Sequence, residues 1–78
     1  MIIRGKWVYI NKHAYEGMNC EAPPIRTSDV RETITNPDGI QGGRYAKWIS
    51  RRTIIVYLTE YADRIEVRGV STSRRKLV

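Results

Sequence analysis

The chain has 78 residues, 14 of them Lys or Arg and 8 Asp or Glu, for a formal net charge of +6 at pH 7. That length accommodates one domain, residues 1–78, and leaves no room for a deep walled cavity, so any site should be a shallow groove or a sheet face. With 41% hydrophobic and 28% charged residues it reads as a folded domain rather than a disordered tail, and its longest apolar run, Ile54 to Leu58, excludes a membrane-spanning helix.

Met1-Ile2-Ile3-Arg4 lacks the apolar stretch of a secretory leader, so a cytoplasmic protein is expected. Lys6 to Ile10, rich in β-branched and aromatic residues, predicts a first strand. Asn11 can cap a helix from Lys12 to about Asn19, with Ala14 and Met18, four apart, on its inner face. The lone Cys20 has no partner for an internal disulfide, in keeping with a reducing compartment. Pro23-Pro24 ends this segment by removing two amide donors and disfavouring helix before them. A second helix begins with Thr27 or Ser28 as its cap, carries Asp29 and Glu32 where the dipole favours negative charge, and turns Val30 and Ile34 inward. Asn36-Pro37-Asp38-Gly39 stops it, and Gly39 to Gly43 reads as a flexible connection.

From there the period changes. Arg44 to Ser50, Thr53 to Thr59 and Arg64 to Val70 predict three strands, the middle one apolar enough to be covered on both faces. Ile65 and Val67 alternate with Glu66 and Arg68, and Gly69 before Val70 breaks the alternation, which predicts a bulge or a bend in the last strand. The expected fold class is α+β in the order β-α-α-β-β-β, with an antiparallel meander sheet and two short helices on one face.

The charge is segregated. Residues 1–43 are balanced, whereas residues 44–78 carry Arg44, Lys47, Arg51, Arg52, Arg64, Arg68, Arg74, Arg75 and Lys76 against Glu60, Asp63 and Glu66. All of the net charge therefore lies in the second half. Such polarity points to a polyanion, with nucleic acid foremost, although a basic surface can also serve solubility alone. Arg44, Lys47, Arg51 and Arg52 with the terminal cluster Arg74-Arg75-Lys76 are the candidate nucleic-acid-binding residues. Strand alternation places Arg44 with Ala46 and Trp48, opposite Tyr45, Lys47 and Ile49. Trp48, Tyr57 and Tyr61 would stack bases if exposed, but the apolar neighbours of Trp48 and Tyr57 favour the core for those two.

Other chemistry is absent from the pattern. The glycines at 39, 42 and 43 lack the Lys-Ser/Thr pair and the strand-to-helix context of a phosphate loop, and no serine-hydrolase motif occurs. One Cys and one His are too few for a structural zinc site, so neither metal nor cofactor is expected. His13 is the chain's one histidine, the residue type that exchanges protons near neutral pH; it is a candidate base, with a half-buried imidazole that packs and caps locally as the favoured alternative.

Asn11-Lys12-His13-Ala14, followed by Ser28 to Asp38 with its Asn36-Pro37 ending, resembles the opening of a family of small prokaryotic proteins of unassigned function. Gly43-Arg44-Tyr45 with Lys47, Thr53 to Val56, and Arg68 before Val70-Ser71 resemble that family's second half. The family in turn is similar to the BrnT-type branch of the RelE/ParE-like toxins, in which a Lys-His pair opens the first helix and a Ser-Ala-Arg-like run near the C-terminus corresponds loosely to Val70 to Arg75 here. The resemblance implies a compact toxin-like α+β fold and metal-independent endoribonuclease activity. His13 or Lys12 would then handle protons, and Arg44, Lys47, Arg68 and Arg74 would hold the phosphate. Two alternatives stand beside it: a non-catalytic nucleic-acid-binding module, and an interaction subunit whose basic half is covered by an acidic, antitoxin-like protein.

Overall fold

The computed structural model describes residues 1–77. Ile2–Ile3 (β1) and Lys6–Ile10 (β2) pair as a hairpin whose two-residue turn, Arg4 and Gly5, has φ of 53° and 76°. Two successive positive φ values make the turn that matches strand twist. Lys12–Cys20 forms α1, and its first free amides are met as the sequence predicts: Asn11 Oδ1 accepts from the Ala14 amide at 2.8 Å. Ala14 and Met18 are its buried residues. The second helix, α2, spans Thr27–Thr35 and buries Val30, Thr33 and Ile34. Its N-cap is Arg26 rather than Thr27 or Ser28, because Asp29 Oδ2 reaches back to accept from the Arg26 amide at 3.1 Å.

Gly39–Gln41 is not a flexible connection but a short edge strand, β3, which turns through Gly42 (φ 60°) into Arg44–Ile49, β4. Arg52–Glu60 (β5) and Arg64–Ser73 (β6) complete the sheet, whose order is β1-β2-β6-β5-β4-β3. The expected antiparallel meander accounts for β3 through β6 only. The sheet as a whole is mixed, since β2 lies parallel to β6 with Val8 opposite Ile65 and Ile10 opposite Val67. The reason is burial. Those four side chains all enter the core, and the parallel register is the one in which β2 presents its apolar face on the same side as β6 while feeding straight into α1.

The core lies between one face of the sheet and the two helices. Ile34, Ile54, Ile65, Val30, Val56 and Val67 are its largest fully buried side chains, each contributing about 1.5–3 kcal/mol relative to exposure. α1 runs beside the half of β6 that β2 does not reach, and a Cβ on Gly17 would lie 2.8 Å from the Val70 carbonyl oxygen, so only glycine permits that approach.

The opposite, outer face is covered over part of its area. Thr53 Oγ1 donates to the Arg75 carbonyl at 2.6 Å and accepts from the Leu77 amide at 3.4 Å, so the segment after β6 folds back over β5. Thr53, Ala46 and Ile55 are buried accordingly. Tyr57, two residues further along, is 43% exposed, which corrects the expectation that it belongs to the core. Among the described residues no helix is long and apolar enough to cross a membrane.

Candidate functional site

Beyond the covered part, the outer face opens into a cleft of about 510 Å³ lined by His13, Gln41, Gly43, Arg44, Tyr57, Leu58, Arg68 and Gly69. Its residues come from distant parts of the chain, and the local backbone explains why each arrives there. The Asn11 amide donates to the Val67 carbonyl at 3.1 Å, extending the β2–β6 pairing by one residue before α1 departs. His13, in the first turn of α1, is therefore held at the level of Arg68.

Arg68 faces outward because it alternates with the buried Val67, and the bulge at this point keeps Val70 in the core as well. The register passes from Tyr57 opposite Gly69 to Leu58 opposite Val67, so Arg68 is an extra residue on β6. Val67 and Val70 both remain in the core, with Arg68 on the outer face. Tyr57 packs beside Gly69, where a Cβ would sit 3.7 Å from Tyr57 Cδ2, an ordinary contact. Arg44 is directly opposite Tyr57 on β4. Gly43 makes the floor: the Leu58 amide donates to its carbonyl at 2.8 Å.

The electrostatics of the cleft are one-sided. Neither Asp nor Glu is among its lining residues, and Arg44 and Arg68 make no ion pair or side-chain hydrogen bond among the described residues. Two guanidiniums left with free donors, a histidine and a phenol on an open surface can bind an anion bidentately and exchange protons with it. Among the described residues no three His, Cys, Asp or Glu side chains gather where they would hold a metal ion.

The remaining candidate residues lie elsewhere. Lys12 is exposed and outside the cleft lining. Lys47 projects to the other face, as alternation predicts, where Nζ donates to the Asn36 carbonyl at 2.8 Å and lies 3.7 Å from Asp38 Oδ1. Arg52 is committed to the Pro23 and Pro24 carbonyls. Arg51 and Arg74 line a separate groove of about 470 Å³ with Cys20, Glu21 and Thr72. Arg75 and Lys76 are exposed on the returning C-terminal segment. The fold thus gathers His13, Arg44 and Arg68 and separates them from the other seven.

Gln41, not expected at a site, and Tyr57, expected in the core, complete the cleft. For Tyr57 a signal existed, since Val56 and Leu58 both point into the core and the residue between them must point out. Gln41 depends on β3, a strand too short to leave a periodic pattern.

No protein-family model, curated protein or solved structure matches this chain.

Proposed function

We propose that this protein binds RNA and acts on it as a toxin-like, metal-independent endoribonuclease, with the outer cleft as its phosphodiester site. The observation that carries the reading is the convergence of His13 with the ion-pair-free Arg44 and Arg68 in a cleft lined by no carboxylate. Those are the groups that cleavage by an internal nucleophile requires. The RNA 2′-oxygen bonds to the adjacent phosphorus, its proton passes to His13, and the bond to the 5′-oxygen breaks as that oxygen is protonated. The products are a 2′,3′-cyclic phosphate and a free 5′-hydroxyl. Arg44 and Arg68 stabilise the charge that builds on the phosphorane, and the Tyr57 hydroxyl is the second proton-bearing group at hand. The resemblance to BrnT-type toxins supports the same reading.

The test is incubation of the protein with end-labelled RNA in EDTA, with His13→Ala in parallel. Cleavage that leaves 2′,3′-cyclic phosphate ends and is lost in the variant is the expected result. A salt-sensitive mobility shift without cleavage would reduce the function to binding. Absence of both would overturn the proposal and leave the basic half to an acidic protein partner.

A further inference from the structure

The open part of the outer face extends beyond the cleft, and it is aromatic. Trp7 and Tyr9 on β2 are 60% and 55% exposed, the opposite of what rings of this size do unless they are held for contact. Register places them in line with the cleft. Trp7 is opposite Arg64 and Tyr9 opposite Glu66 on β6, while Tyr57 is opposite Gly69, so the three rings advance in the same direction along β6. From Trp7 to Tyr9 is two residues of one strand, about 6.6 Å; from Tyr9 to Tyr57 is two strands across and about one such step along, roughly 12 Å. The trail ends at Arg68 and Arg44.

We infer that Trp7 and Tyr9 form a base-stacking subsite for the unpaired RNA strand whose phosphate enters the cleft, an inference that rests on the RNA-binding reading above. The spacing decides between single strand and duplex. Bases in a duplex rise roughly 3.4 Å per step, about half the separation of the two rings, so bases seated on both are unstacked from each other. Paired bases in an A-form helix offer no such face to a sheet surface; splayed single-stranded bases do, and they stack on Tyr and Trp regardless of sequence. Charge agrees with this direction. Arg44 and Arg68, neither of them in an ion pair among the described residues, stand at the cleft end, whereas at the ring end Arg64, opposite Trp7, is paired with Asp63, and Glu66 lies opposite Tyr9.

The test uses a 2′-O-methyl RNA oligonucleotide, which cannot be cleaved by the internal route, as a single strand and annealed to its complement. The single strand is expected to bind more tightly. Tyr9→Ala and Trp7→Ala should each weaken it about 5- to 140-fold, the range of one lost stacking contact, and leave duplex affinity unchanged. Tyr9→Phe should restore the wild-type value. In a Trp48→Phe background, where Trp7 is the remaining tryptophan, its fluorescence should be quenched by the single strand alone. Equal affinity for both forms, unaffected by Tyr9→Ala, would overturn the stacking subsite while leaving RNA binding in place. Binding to neither form would overturn both.

Discussion

The Gly43 carbonyl accepts a hydrogen bond from the Leu58 amide at 2.8 Å, and a Cβ built on Gly43 would overlap the Leu58 carbonyl oxygen. The two backbones meet at the floor of the cleft, with Arg44 following one of them and Tyr57 preceding the other. Gly43→Ala should force them apart, lowering unfolding free energy by about 1–3 kcal/mol, as overpacking of a close contact does. Equilibrium urea denaturation measures this. The same variant should bind RNA more weakly at temperatures where it remains folded, because Arg44 and Tyr57 move with the displaced strands.

Arg44 and Arg68 contribute charge to the cleft without holding the fold. Arg68→Ala should leave thermal stability within about 0.5 kcal/mol of wild type, the usual range for a surface substitution away from special features. It should nevertheless reduce the slope of log affinity against log salt by about 0.7, the effect of one lost phosphate contact on a single strand. Lys47→Ala is the contrast: its ammonium is engaged by Asn36 and Asp38, so its removal should affect stability and leave the salt slope as it was. Fluorescence titrations between 50 and 200 mM salt, on the scale used for such slopes, separate the two.

His13→Ala should abolish turnover while leaving RNA affinity within a factor of about three. The side chain is exposed and makes no side-chain hydrogen bond among the described residues, and general acid–base groups typically contribute 10²–10⁴-fold to rate rather than to binding. Single-turnover cleavage and equilibrium binding on the same preparation report the two quantities. Lys12→Ala, adjacent in sequence but outside the cleft, should retain activity.

Acid should destabilise the protein through two named carboxylates. Asp38 is held below its ordinary 3.8 chiefly by the Trp48 amide, which donates to Oδ2 at 2.8 Å, and then by the charge of Lys47. Glu60 is held below 4.5 chiefly by its hydrogen bond from Lys6 at 2.7 Å, with Arg4 adding to it. Both values are lowered in the folded state. Their contribution is therefore complete above the ordinary carboxylate range and is lost as pH falls through the lowered folded values. Melting temperatures taken from pH 7 down to pH 2.5 should show Asp38→Asn and Glu60→Gln below wild type at neutral pH and converging with it in acid.

The fold and the site were legible in the sequence to different depths, and the boundary is a physical one. Local signals held: Asn11 caps α1, Ala14 with Met18 and Val30 with Ile34 point inward, and Gly69 marks the bulge. Each depends on neighbours within a few residues. What the sequence did not show depends on partners far along the chain. Nothing in Lys6 to Ile10 specifies that β6 will run parallel beside it, and the two- and three-residue strands β1 and β3 exist because longer neighbours offer them hydrogen bonds. The site follows the same division. Its basic character could be read from composition, but strand pairing chose which cations share a surface: alternation turns Arg68 outward, into the cleft that His13 and Arg44 also line, and sends Lys47 to the other side.

The parallel pairing of β2 with β6 also constrains how the molecule forms. Lys6 and Glu60, which meet in an ion pair at 2.7 Å, are 54 residues apart, and Val8 and Ile10 find their partners Ile65 and Val67 only when the last strand is in place. Closing so long a loop costs entropy before any contact repays it, which puts folding on a slower scale than that of helical bundles rich in local contacts. It also makes the domain indivisible: neither the helical first half nor the basic meander has a closed core of its own, and a ribosome must release β6 before the cleft exists.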